Sequence, residues 1–127
     1  MAYRTVLIEA NQIMLERLSS VIKNTPGFEL SARYATAGDA MGQMQAFKPE
    51  LILVDMDNEK NGPLLSELKR SYPYASIIGM SRKWDSEAQS RLLGSGAGGF
   101  MIKPFTGEEL VETVKNVTST TMVSQSE

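Results

Sequence analysis

Three short apolar runs, Val6-Leu7-Ile8, Leu51-Ile52-Leu53-Val54 and Ile77-Ile78, constrain this chain more than any other feature of it. Each is too short for a helix, and none alternates apolar with polar residues, so each asks for a strand covered on both faces. Between them lie stretches with apolar residues at helical spacing. That alternation is the signature of βαβ units around a parallel sheet. The expected strands are Thr5 to Ile8, Phe28 to Tyr34, Leu51 to Val54, Ser76 to Met80 and Gly99 to Ile102, with the three unalternating ones at or near the sheet centre.

The first helix is expected from about Gln12 to Asn24, with Asn11 as N-cap and Met14, Leu18, Val21 and Ile22 on one stripe before Pro26-Gly27 stops it. The second spans about Ala37 to Phe47, with Ala40, Met44 and Phe47 inward. The third runs from about Gly62 to Tyr72 with Leu64, Leu65 and Leu68, and ends before Pro73. The fourth, about Asp85 to Leu93, stops at the glycine-rich stretch from Gly94 to Gly99, a turn into the fifth strand. The last opens at a Thr106/Glu109 capping box ahead of Leu110, Val111, Val114 and Val117. Beyond Val117 the chain is hydroxyl-rich and aperiodic, so residues 1–117 are expected to form one domain and 118–127 a polar tail or the start of a linker.

Composition narrows the chemistry. Among the 127 residues there is no histidine and no cysteine, which excludes thiolate and imidazole nucleophiles, Ser-His-Asp triads, zinc fingers and disulfide frameworks. The eight methionines read as core filler. Thirteen basic against fifteen acidic side chains leave a net charge of −2, without the basic footprint of a nucleic-acid binder. No apolar stretch approaches the roughly 18 residues of a membrane span, and no signal peptide opens the chain, so the expected location is the cytoplasm.

In an open parallel sheet, ligands bind beyond the carboxyl ends of the strands. There the sequence offers Glu9 after the first strand, Asp55 after the third, Ser81 after the fourth and Lys103 after the fifth. Two acids, a hydroxyl and an ammonium at one mouth suit a hard divalent cation with a phosphoryl group beside it.

These positions, and three segments in register with them, resemble bacterial response-regulator receiver domains, the signalling modules of two-component systems. The segments are Gly99-Phe100-Met101-Ile102-Lys103-Pro104-Phe105, Leu51-Ile52-Leu53-Val54-Asp55 and Ile77-Ile78-Gly79-Met80-Ser81, and the resemblance covers Thr5 to about Val117. It implies a doubly wound, flavodoxin-like α/β fold of three layers with strand order 2-1-3-4-5. It also implies an aspartyl-phosphate switch rather than an enzyme. Asp55 would accept a phosphoryl group from a sensor histidine kinase or a small phosphodonor, Lys103 would pair with that group, and Ser81 would donate a hydrogen bond to it. Phe100 stands at the family's conformation-reporting aromatic position. The implied partners are the kinase and a downstream target or output domain, with dimerisation through the face of the fourth helix, fifth strand and fifth helix. Nucleic acid and membrane are not expected to touch this domain. The phosphoryl donor must be another molecule, since the chain has no histidine to carry the phosphate itself.

The sequence departs from the family at the metal side. Receiver domains usually carry two acids after the first strand, and here the pair is Glu9-Ala10. A missing unit charge at about 4 Å is worth roughly 4 kcal/mol at an effective dielectric of 20, and a fraction of that weakens magnesium binding about tenfold. Asp57 is the expected compensation, so that Glu9, Asp55 and Asp57 form a rearranged magnesium site. The loop after Asp55 lacks the family's Met-Pro pair, and Ser81 is followed by bulky Arg82-Lys83-Trp84, expected as a solvated loop with one apolar side chain on the fourth helix.

Plainer roles stay open for several of these residues. Ser81 suits a loop-satisfying hydroxyl, Glu9 suits a side chain pointing elsewhere, and Lys103 suits a neutraliser of the two acids. Two rival functions also remain: a phosphorylation-independent pseudo-receiver acting as a binding module, and a flavodoxin-like cofactor protein, which the acidic, bulky Glu9 to Ile13 segment disfavours.

Overall fold

The apolar runs form the centre of one five-stranded parallel sheet in the computed structural model, which describes residues 2–83 and 85–126. The strands are β1 (Tyr3–Ile8), β2 (Phe28–Tyr34), β3 (Leu51–Asp55), β4 (Ser76–Ser81) and β5 (Gly99–Ile102), in spatial order β2-β1-β3-β4-β5. Thr5 pairs with Leu51 and Leu51 with Ser76, and β5 joins the far edge of β4 with Gly99 beside Ile78. The intervening helices are α1 (Gln12–Lys23), α2 (Ala37–Ala40), α3 (Leu65–Ser71), α4 (Ser86–Gly94) and α5 (Gly107–Ser126).

The missing alternation in the strands has its reason in two cores. Val6, Ile8, Ile52, Val54 and Ile77 face α2, α3 and α4, where Ala37, Ala40, Leu65, Leu68 and Leu92 cover them. Leu7, Leu51, Leu53, Ile78 and Met80 face the other way, onto Leu18 and Ile22 of α1 and Leu110 and Val114 of α5. Successive side chains on one strand therefore enter different cores, and both need apolar residues.

Helix ends follow the expected chemistry. The Asn11 side chain accepts from the Met14 amide and caps α1. Thr106 and Glu109 satisfy each other's backbone amides at 3.1 and 3.0 Å ahead of α5.

Three helices differ from expectation; the third, expected from about Gly62, opens as a 3-10 turn over Gly62–Leu64 and is α-helical from Leu65 to Ser71. The second, expected over Ala37 to Phe47, ends at Ala40. Met41 leaves helical geometry at ψ 126°, and Gly42 takes φ +78°, a left-handed conformation in which glycine carries no side-chain penalty. Met44 is still fully buried, because its amide donates to the Tyr72 hydroxyl and pins a non-helical segment to the core. The inward positions were legible; the helical path between them was not. The last helix, expected to fade near Val117, continues to Ser126. No glycine or proline interrupts residues 118–126, and the Thr118 hydroxyl bonds back to the Val114 carbonyl without breaking the turn.

Gly79, buried in β4, is needed for close packing. A Cβ there would lie 2.3 Å from Leu92 Cδ2 and 3.0 Å from Met56 Cγ. Gly79→Ala is expected to destabilise the protein by about 2 kcal/mol through overpacking, measured by urea denaturation. In a Leu92→Ala background the same substitution is expected to cost much less, because the obstructing methyls are gone.

Candidate functional site

At the carboxyl end of the sheet, Glu9 leaves β1, Asp55 closes β3, Ser81 closes β4 and Lys103 follows β5. The parallel register brings all four to one mouth, and the Lys103–Pro104 peptide there is cis. The Lys103 amide donates to the Ser81 carbonyl at 2.9 Å, which holds the root of the lysine against β4.

The lysine ammonium is the centre of the site. Nζ donates to Glu9 Oε1 and, at 2.6 Å, to Asp55 Oδ1. Glu9, Asp55 and Lys103 are only 2, 5 and 4% exposed. Glu9 therefore points inward despite its extra methylene, with Oε2 accepting from the Asn11 amide at 3.1 Å. Burial by itself lowers the lysine pKa, but hydrogen bonds and charge from Asp55 and Glu9 outweigh it and hold the ammonium above the ordinary lysine value.

Asp57 occupies the rim. Its amide donates to Asp55 Oδ1 at 2.9 Å, so the chain turns tightly after β3. Its carboxylate accepts from the Ser81 hydroxyl at 2.7 Å and the Arg82 amide at 3.0 Å, and lies 3.4 Å from Lys103 Nζ. The Arg82 guanidinium adds an ion pair at 3.3 Å. Burial pushes the Asp57 pKa up, and Ser81, Arg82 and Lys103 together more than reverse this, leaving it below the usual aspartate value.

Glu9, Asp55 and Lys103 thus come together as expected, and Ser81 joins them through Asp57. Asp57, expected with Glu9 and Asp55 in a rearranged magnesium site, lies at the rim of the same mouth, 3.4 Å from Lys103 Nζ and bonded to Ser81 and Arg82. Phe100 is half-buried against the α3 and α4 side of the core. Trp84 lies outside the described residues, whereas Arg82, expected in a solvated loop, is exposed but bound to Asp57.

One contributor escaped the sequence reading. Asn61 is completely buried; its Nδ2 donates to the Asp55 carbonyl at 2.8 Å, and its Oδ1 accepts from the Ala37 amide at 2.9 Å. It ties the end of β3 to the start of α2. Asparagine before Gly62-Pro63 looks like any loop residue, so no sequence signal marked it.

The mouth opens into a cleft of about 410 Å³ lined by Glu9, Ala10, Arg17, Asp55, Asp57 and Lys103, among others. Its donors are hard oxygens, the chemistry a magnesium ion takes. Among the described residues, however, no three acids are arranged as a metal cluster. Glu9, Asp55 and Asp57 all line this cleft, with Lys103 bonded to Glu9 and Asp55, and Asp57 bonded to Ser81 and Arg82.

A doubly wound sheet of this order, with a lysine held between buried acids at its carboxyl mouth, defines the receiver class of α/β signalling domains. Comparison with known proteins gives the family itself: residues 5–115 match the response regulator receiver domain, and the chain belongs to that family. It is a receiver domain of two-component response regulators, and such domains are signalling domains rather than catalysts. It is 27% identical over 114 residues to the transcriptional regulatory protein DegU of Brevibacillus brevis, covering 88% of this chain and 48% of that protein. It is 24% identical to the chemotaxis protein CheY of Thermotoga maritima, covering 92% of this chain and 98% of that one. Among solved structures, a LuxR-family two-component response regulator from Aurantimonas superposes with a TM-score of 0.82 at 20% identity, covering 94% of this chain and 86% of that one. A response regulator from Thermotoga maritima gives 0.78 at 19%, covering 94 and 99%. The chain spans about half the length of the first curated relatives it matches, 48, 47 and 56%. Among the described residues, no helix is long and apolar enough to cross a membrane.

Proposed function

We propose that Asp55 is the phosphoacceptor of this receiver domain and that Lys103 and Ser81 hold the phosphoryl group once it is there. The observation that carries this reading is the ammonium of Lys103, buried at the strand ends and bonded to Asp55. Among the described residues, both hydrogen bonds to that carboxylate fall on Oδ1, so Oδ2 is the oxygen that meets no donor there and serves as the nucleophile. Oδ2 attacks the donor's phosphorus, an acyl phosphate O–P bond forms, and the bond from phosphorus to the donor's nitrogen or oxygen breaks with its electron pair leaving on the donor. Lys103 then faces a group of charge about −1.5 to −2 in place of a monoanion, which strengthens its pull.

Magnesium, the ion such pockets typically take, offsets the charge that gathers on the transferring phosphoryl group. Glu9 and Asp55 would hold it, and Asp57 would join them only on releasing Ser81 and Arg82. Ala10 supplies no second acid, so this site binds the ion more weakly than one with a full acidic pair.

The donor is a sensor histidine kinase or a small phosphodonor in the cytoplasm, and the output passes to a protein target or an attached output domain. The face formed by α4, β5 and α5 is the proposed contact or dimer surface, where Leu93 and Ile102 are exposed and Phe100 is half-buried. With a net charge of −2, any contact with nucleic acid belongs to an attached domain rather than to this one. Residues 1–117 form the receiver unit in this reading, and 118–127 lead out of it.

Intact-mass measurement after treatment with acetyl phosphate and magnesium, and separately with a phosphorylated histidine kinase, tests the assignment. One phosphoryl mass is expected on the native protein and none on Asp55→Asn. If neither donor adds mass to the native protein, the domain is a phosphorylation-independent binding module instead.

A further inference from the structure

The Ser81 hydroxyl assigned to the phosphoryl group is already occupied, and so is the Arg82 amide beside it. Asp57 Oδ1 takes the Ser81 hydroxyl at 2.7 Å, while Oδ2 takes the Arg82 amide at 3.0 Å and lies 3.4 Å from Lys103 Nζ. The Lys83 amide in turn donates to Ser81 Oγ at 3.2 Å, so the first residues after β4 are gathered around one carboxylate.

The stoichiometry of these donors matters. A serine hydroxyl has a single hydrogen and a backbone amide has one. While Asp57 holds both, a phosphoryl group on Asp55 cannot take either. Two anions in one donor set also repel each other. Asp57 and a phosphorylated Asp55 therefore compete for the Ser81 hydroxyl and the Arg82 amide, while both stay within reach of the three-donor Lys103 ammonium.

We propose that Asp57 is a positioning residue that serves as a tethered stand-in for the phosphoryl group, drawing Ser81 and Arg82 toward the mouth before phosphorylation, and that phosphorylation of Asp55 proceeds by displacing it. The displacement step rests on Asp55 being the phosphoacceptor; the holding of the loop does not. Arg82 has a second part in this arrangement, because its guanidinium pairs with Oδ2 at 3.3 Å and is freed when Asp57 leaves.

The test uses the whole chain, labelled with 15N, as native protein, Asp57→Ala and Asp57→Asn. Without any phosphodonor, Asp57→Ala is expected to speed hydrogen exchange at the Arg82 amide roughly tenfold, the effect of losing about 1.4 kcal/mol of local protection, while amides inside β3 are unchanged. Asp57→Asn, which keeps an acceptor but not the charge, falls between the two. With acetyl phosphate and magnesium, the donor concentration for half-phosphorylation is expected to fall several-fold in Asp57→Ala. Unchanged exchange at Arg82 overturns the holding role, and an unchanged half-phosphorylation point overturns the competition. If exchange rises but no variant gains phosphoryl mass, the phosphoacceptor assignment has failed and the competition with it, while the loop is still held by Asp57.

Discussion

Lys103→Met is expected to lower the stability of this protein by about 3 kcal/mol at neutral pH, the lower part of the range for removing one partner of a buried ion pair. The ammonium is the shared counter-ion of two carboxylates that are themselves almost fully buried. Methionine fills the aliphatic path of the lysine, so packing is largely kept while Glu9 and Asp55 lose their only cationic contact at hydrogen-bond distance among the described residues. Because such domains have total stabilities of about 5–15 kcal/mol, a change of this size is plain in a urea unfolding curve. Adding Asp55→Asn to Lys103→Met is expected to recover part of the loss, since one of the two uncompensated charges is then gone.

The pH dependence has a definite sign. The folded-state pKa of Lys103 is raised, so its contribution is fully present below the unfolded lysine value near 10.5 and fades as pH rises through the folded one. The stability gap between native protein and Lys103→Met is therefore expected to stay level from neutral pH to about pH 10 and to close above it. A gap that closed on acidification alone would show that the carboxylates, and not the ammonium, set the effect.

Asn61→Ala is expected to cost about 3 kcal/mol, although neither residue carries charge. The substitution leaves the Asp55 carbonyl and the Ala37 amide without partners in a fully buried place, and each orphaned group costs roughly 1–3 kcal/mol. Equilibrium unfolding measures the loss. Asn58→Ala is the comparison, because it removes one exposed bond to the Lys60 amide and is expected to cost under about 1 kcal/mol. A second effect goes with the first: the carbonyl that Asn61 holds belongs to the proposed phosphoacceptor. Phosphoryl gain by Asn61→Ala, followed by mass at a temperature where it is still folded, is expected to be slower than in the native protein.

Much of the fold was legible because burial on two faces leaves a mark in the sequence. Val6-Leu7-Ile8 has no alternation because Val6 and Ile8 enter one core and Leu7 the other. The capping side chains Asn11, Thr106 and Glu109 were equally legible, since a cap acts within three residues of itself. The path after Ala40 was not: Ala40, Met44 and Phe47 keep helical spacing, but a long-range bond from Met44 to Tyr72 and a left-handed Gly42 replace the helix. The end of α5 was missed for the opposite reason, an apolar stripe that stops before the backbone does.

For the candidate site, sequence determined which chemical groups reach the mouth. A parallel sheet sends every strand end to the same side, so Glu9, Asp55, Ser81 and Lys103 follow from the strand boundaries alone. The absence of histidine and cysteine determined that this chemistry runs on oxygen and amine groups. Only the tertiary structure decided how those groups are paired. Whether a carboxylate meets a cation, an ammonium or a hydroxyl depends on distances of a few tenths of an ångström between residues up to 94 positions apart. Glu9 turns inward to Lys103, Asp57 sits at the rim bonded to Ser81 and Arg82, and Asn61 disappears into the interior. Local sequence carries no record of such choices, because each is set by what the remaining strands and loops leave within reach.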